Sequence, residues 1–248
     1  MRRIALVVLL CLSAATGAAC GGSPDGGPQG ETGEPGLLGA STVRGRVAFE
    51  GTAPPPARLR MDSDPLCKAD GATSDALLVG ADGGVGNVFV YLKEGVSGTY
   101  PPPEDAVMLD QVGCRYIPHV FGVQVGQPLH ITNSDPAVHN VNAVARTNRG
   151  FNLIQQPDSS SSTRQFEAPE VMVPIRCDVH PWMNAWAGVV AHPFFAVTGE
   201  DGTFQIGRLP AGTYTIEAWH EHLRTQTRTI TVDGTSDATV TFTFTPPA

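Results

Sequence analysis

The sequence predicts an all-β protein, and three observations lead there. Only 16% of the 248 residues are charged, while 28 Gly and 21 Pro punctuate a chain that is 41% hydrophobic. That balance suits short strands joined by tight turns better than helices. Apolar residues recur at every second position in several short runs. Beyond the N-terminal stretch there is no heptad pattern and no continuous apolar run long enough to span a membrane. A chain of this length holds either one large domain or two modest ones, each with a real core.

The first element is a leader. Arg2-Arg3 and the apolar run Ile4 to Leu12 read as a secretory signal sequence over residues 1–19, too short to stay as a spanning helix. Thr16, Gly17, Ala18 and Ala19 then precede Cys20, and small residues before a cysteine resemble the lipobox of bacterial lipoproteins. That resemblance implies a lipidated Cys20, with more than one acyl chain and hence stable anchoring. Ordinary cleavage with Cys20 as a free thiol is the alternative. Residues 20–40 are rich in Gly, Pro and acid, a flexible spacer. The formal charge is −8, and −10 once Arg2 and Arg3 leave with the leader. Such acidity argues against nucleic acid and toward basic or neutral protein partners.

The strands follow. Val43 to Phe49 reads as one, closed by Glu50-Gly51 and a proline run; Asn87 to Leu92 reads as another, after the turn at Ala81-Asp82-Gly83-Gly84. Pro101-Pro102-Pro103 marks a break. Ala106 to Asp110, Val120 to Val125 and Leu129 to Asn133 come next, the last two joined through Gly126-Gln127-Pro128. Phe151 to Arg164 contains Asp158 and four serines, read as a mobile hairpin tip. Val171, Val173, Ile175 and Cys177 alternate, so all four side chains are expected on one core-facing side. The thiol thus emerges at a strand end, aimed inward. Asp178 to Met183 forms a short loop, and Trp186 to Val190 resumes extended structure. From Ala196 the composition changes. Val197 to Ile206 starts a hairpin, Leu209 to Ile216 turns into a strand, and Thr229 to Val232 and Thr239 to Phe244 alternate with Thr.

One stretch carries the chemistry. Cys177, His180 and Met183 stand at Cys-x2-His-x2-Met, and His139 lies upstream in Asp135-Pro-Ala-Val-His139-Asn140-Val141. Two imidazoles and a thiolate with a weak axial thioether are the ligand set of a mononuclear electron-transfer copper site. Zinc is the competing metal, but Met is a poor zinc ligand. The plain alternative is a buried thiol beside unrelated loop residues. His119, His130, His192, His220 and His222 read as structural or solvated. His220-Glu221-His222 supplies too few ligands for a catalytic copper, although a weak second metal site there stays open. No catalytic residues are identified. Of the five cysteines, Cys11 leaves with the leader, Cys20 takes lipid and Cys177 takes metal. Cys67 and Cys114 remain, and in an oxidising compartment they are expected to form a disulfide.

Val107-Met-Leu-Asp110, Val123-Gln-Val-Gly126, His139-Asn140-Val141 and the Cys177 loop together resemble the cupredoxins, with the loop spacing of the amicyanin type in the plastocyanin and azurin group. The resemblance covers residues 105–192. It implies a Greek-key β-sandwich holding one blue (type 1) copper ion cycling between Cu(I) and Cu(II), with His139, Cys177, His180 and Met183 as ligands. Asn140 would tie the two ligand loops together. Pro181 and Trp182 would surround His180, whose exposed edge is the expected electron port, with a redox protein docking there. Trp182 and Trp186 are themselves read as packing residues, with gating of that port by Trp182 as the alternative.

The flanks resemble a different family. Gly199-x2-Gly202-x-Phe204, Leu209-Pro-Ala-Gly-Thr-Tyr214 and the first strand Val43 to Phe49 are similar to the transthyretin-like carboxypeptidase regulatory-like domain. Residues 41–104 and 193–248 would complete one such Ig-like sandwich, with the cupredoxin inserted between them. The expected function is a non-enzymatic copper electron carrier, lipid-anchored on the periplasmic or cell-surface side of a bacterial membrane. A copper-holding or copper-delivering protein is the first alternative. A surface interaction protein with a vestigial metal site is the second.

Overall fold

The computed structural model describes residues 34–157 and 161–246. The expected signal sequence and the lipidation site Cys20 lie outside them. Sixteen strands and no helix are seen among the described residues. The first strands are β1 (Ser41–Phe49), β2 (Phe89–Glu94), β3 (Val107–Gln111), β4 (Tyr116–Ile117), β5 (Val120–Gln124) and β6 (Leu129–Asn133). Next come β7 (His139–Ala143), β8 (Phe151–Gln155), β9 (Ser162–Arg164), β10 (Glu170–Arg176) and β11 (Asn184–Val190). The chain ends with β12 (Phe195–Val197), β13 (Thr203–Leu209), β14 (Gly212–His220), β15 (Arg224–Val232) and β16 (Ala238–Phe244).

These strands make two sandwiches. The sheets β13-β1-β16 and β12-β2-β14-β15 enclose one core, containing Val43, Val47, Val90, Ile216, Ile230 and Phe242. The sheets β5-β11-β10-β7-β8 and β4-β3-β6-β9 enclose the other, containing Leu109, Val123, Ile131, Val141, Ile175 and Ala187. Alternation sends every second side chain of β6 and β16 inward, as the sequence predicts. The fold is all-β throughout, and strands from both flanks share the first core. β1 pairs parallel with β16, so the two ends of the described chain close that sandwich on itself.

A third apolar cluster joins the two. Phe89 of β2 lies over Gly122 of β5 and Gly188 of β11. A Cβ at Gly188 would come within 2.4 Å of the Phe89 ring, and one at Gly122 within 2.9 Å. Only glycine lets the ring approach this closely. Tyr91, Val120, Val190, Trp186 and Trp219 complete the cluster.

Three local expectations are corrected. The strands flanking the serine-rich segment do not pair as a hairpin: β8 pairs with β7 while β9 pairs with β6, in different sheets, and residues 158–160 themselves lie outside the described residues. Val171 leaves the face of Val173 and Ile175, because the β10–β11 register shifts between Glu170 and Val173; Val171 and Met172 pack on the junction cluster instead. Finally, Leu59, Met61, Cys67 and Ala72 pack into the second core, although they fall within the segment 41–104 expected in the first sandwich. This last departure shapes the site.

Candidate metal centre

β7 and β10 position the site. β10 pairs with β7 through Ile175↔Ala143 and Arg176↔Asn142, which sets the Cys177 end of one strand beside the His139 end of the other. The Asp178–Met183 loop then folds back on itself. The Met183 amide donates to the His180 carbonyl at 2.9 Å, and the Cys177 amide donates to the Met183 carbonyl at 3.1 Å. Cys177, His180 and Met183 are thereby brought to one end of the sandwich, and all are buried with His139.

His139, Cys177 and His180 place their ligand atoms within 4.8 Å of one another. Their Nδ1 atoms lie 2.8 Å apart for His139 and His180, and Cys177 Sγ is 3.9 Å from His180 Nδ1. Met183 belongs to the same buried cluster as Cys177. The His180 amide also points at Cys177 Sγ, at 3.4 Å. Asn140 links the two ligand segments. Its Oδ1 accepts from the Asp178 amide at 2.7 Å and from the Cys177 thiol at 3.4 Å, and its Nδ2 donates to Asp178 Oδ2 at 2.9 Å. Asn142 and Asn152 also donate to the Asp178 carboxylate, and together with Asn140 they hold its pKa below the usual range.

The outer nitrogens of both rings face carboxylates. His139 Nε2 lies 2.9 Å from Asp135 Oδ2, and His180 Nε2 lies 3.0 Å from Asp64 Oδ2. An ionised carboxylate only accepts, so with both rings neutral, as metal binding requires, each carries its proton on Nε2 and turns a lone pair inward from Nδ1. Burial pushes the His139 pKa down, outweighing the hydrogen bond to Asp135, which raises it. Two buried lone pairs aimed at each other beside a thiol have no mutual donor, and a cation between them supplies what is missing. The carboxylate–imidazole pairing is the usual outer support of a metal-bound histidine. The residues present therefore fit a copper ion.

Two features escaped sequence reasoning. Asp135 is fixed by the Gly113 and Cys114 amides at 2.6 and 2.7 Å, and its place four residues before His139 was the available signal. Asp64 sits 116 positions from His180, and no local pattern marks it. The only hint was the expected disulfide, which is present between Cys67 and Cys114. It carries Asp64 across to the site. As a result the edge of His180 is not the exposed port the sequence suggested: the ring is 1% exposed, closed by Asp64 and by Cys67 Sγ at 3.6 Å. Pro181 is exposed and Trp182 half-buried, its Nε1 donating to the Cys114 carbonyl at 3.1 Å.

The other histidines near the domain junction are structural. His119 bridges the Asn184 carbonyl at 3.1 Å and Glu221 at 2.5 Å, and Trp186 Nε1 reaches the same carboxylate at 3.0 Å. His220 Nδ1 accepts the amides of His222 and Leu223 at 3.1 and 3.2 Å, capping the β14–β15 turn. His220 and His222 form no candidate metal cluster among the described residues.

Residues 188–245 match the family model of the carboxypeptidase regulatory-like domain. A sequence comparison with curated proteins returns no match. Among solved structures, the chain is similar to a Cu-containing nitrite reductase from Thermus scotoductus SA-01, at 19% identity and a TM-score of 0.32, over 40% of this chain and 25% of that one. It is also similar to a mutant of amicyanin in its reduced Cu(I) form, at 20% identity and a TM-score of 0.31, over 35% of this chain and 84% of that one. A purple cupredoxin from Nitrosopumilus maritimus aligns at 21% identity and a TM-score of 0.29, over 34% of this chain and 99% of that one. The match thus spans a quarter of the nitrite reductase's length.

Proposed function

We propose that this protein is a mononuclear copper electron carrier of the blue, type 1 kind, and that His139, Cys177 and His180 would hold the copper, with Met183 as a weak fourth ligand. The observation that carries the reading is the convergence of two Nδ1 lone pairs and one thiol at the buried end of a rigid sandwich. When bound, copper supplies a reversible one-electron couple whose potential follows the ligands and their surroundings. The chain's own part is to keep the cage still. Asn140 pins Asp178 and the thiol, Asp135 and Asp64 fix both rings, and Ile175, Ala185 and Ala187 exclude water from the core side.

Retention favours a carrier over a delivery protein. All four candidate ligands are buried, and the His180 edge is covered by a segment stapled through Cys67–Cys114. A metal meant for handover needs an opening for the acceptor. Export and tethering through Cys20 belong to the same proposal, supported by the leader pattern and by the disulfide, which suits an oxidising compartment. The partner would be another envelope redox protein, neutral or basic, making a small transient contact.

The test is an absorption spectrum of the copper-loaded, leaderless protein. An intense visible thiolate-to-copper band is expected, and Cys177→Ser should abolish it while the far-ultraviolet circular dichroism stays unchanged. Tight copper binding without that band would reject the electron-carrier reading.

A further inference from the structure

We propose that electrons pass to and from partners through the indole of Trp182, because the segment around Asp64 closes the edge of His180; this rests on the copper reading above. The closure is built rather than incidental. Asp64 Oδ1 accepts the Leu66 amide at 2.9 Å while Oδ2 meets His180 Nε2 at 3.0 Å. Cys67 is bonded to Cys114, and Met61 and Cys67 are buried in the core beneath. Arg115 locks the far end of the segment, its guanidinium reaching the Asp75 carboxylate and the Thr73 carbonyl, each at 2.6 Å. A partner approaching His180 directly therefore meets Asp64 and the disulfide instead.

Two rings touch His180 among the described residues, and they differ in where they lead. His139 lies at a centroid distance of 4.8 Å, but it is fully buried. Trp182 lies at 5.0 Å with its plane tilted 36°, and it is half-buried, next to the exposed Pro181. Its indole opens on a small cleft beside Leu59, Arg115, Tyr116 and His119. The Nε1 hydrogen bond to the Cys114 carbonyl fixes the ring against the same disulfide that closes His180. One side chain thus joins a candidate ligand to the surface while the segment seals the direct path. Among the described residues, no other aromatic contact of His180 does both.

The test follows oxidation of the reduced, copper-loaded protein by tris(1,10-phenanthroline)cobalt(III) in stopped flow. One electron passes from the reduced site to cobalt(III), giving the oxidised site and cobalt(II), and no proton moves. Trp182→Leu should slow the reaction by about an order of magnitude, with the position of the visible band and the copper affinity unchanged. Trp182→Phe, which keeps an aromatic ring, should recover most of the rate. Adding Cys67→Ser and Cys114→Ser to Trp182→Leu should also recover rate, by freeing the His180 edge.

A Trp182→Leu protein that reacts at the wild-type rate with its band intact overturns the inference. So does a Trp182→Phe protein as slow as the leucine variant, which would mark a packing role. Absence of the band from the wild-type protein overturns the copper reading itself, and the two failures are told apart before any rate is measured.

Discussion

The Nδ1 atoms of His139 and His180 face each other across 2.8 Å, while the Nε2 atom of each ring rests on a carboxylate of its own. Neither carboxylate belongs to the Cys-x2-His-x2-Met stretch. Asp135 arrives from the turn before β7, and Asp64 from a segment that precedes β2. The inward lone pairs are thus set by residues outside the apparent motif, and the first prediction concerns them.

Asp135→Asn should weaken copper binding by about 10–100-fold, the usual effect of losing an outer carboxylate on a ligand histidine. Asp64→Asn should do less, because Asp64 is 28% exposed and water can replace its oxygen, whereas Asp135 is 8% exposed. Competitive titration against a chromophoric chelator measures both. Equal losses would mean that burial does not decide the strength of this support.

Removing the staple should cost stability. The bond between Cys67 and Cys114 closes a loop of sequence separation 47, which by chain entropy contributes about 4 kcal/mol. The double variant Cys67→Ser and Cys114→Ser should shift the denaturant midpoint down accordingly, with the far-ultraviolet spectrum kept. A midpoint within error of the wild type would show that packing of Met61 and Leu59 holds the segment without the bond.

Acid should destabilise the first sandwich through His220. Burial pushes its pKa down from 6.5 to about 4, and its Nε2 finds no hydrogen-bond partner among the described residues. The folded-state pKa lies below the unfolded one, so the unfolded chain takes a proton first as pH falls. The stability that neutral His220 contributes is complete above pH 6.5 and is lost on the way down to about 4, in all about 3 kcal/mol. His220→Asn can still accept the His222 and Leu223 amides but does not titrate. Denaturation at stepped pH should give it a shallower slope over that window. Parallel slopes for the two proteins would place the acid sensitivity elsewhere.

Much of this was legible in the residues themselves. The alternation of Val173, Ile175 and Cys177 fixes a strand, its inward face and the direction of the thiol, because side chains in a strand repeat every two residues. Leu129–Asn133 is found with the predicted bounds. What stayed hidden was non-local. The β10 register shift that turns Val171 away depends on its pairing with β11, and the crossing between β8 and β9 depends on which sheets compete for each strand. Asp64 carries no periodicity and no motif; only the tertiary fold brings it to His180. Gly122 and Gly188 gave no sign in the sequence that Phe89 would need the room they leave.

The most direct measurement is X-ray absorption at the copper K-edge of the loaded protein. One short copper–sulfur distance and two copper–imidazole nitrogen distances are expected, with the sulfur contribution gone in Cys177→Ser and one imidazole gone in His139→Ala. A first shell of nitrogen and oxygen alone, or an unchanged shell in either variant, would contradict this ligand set.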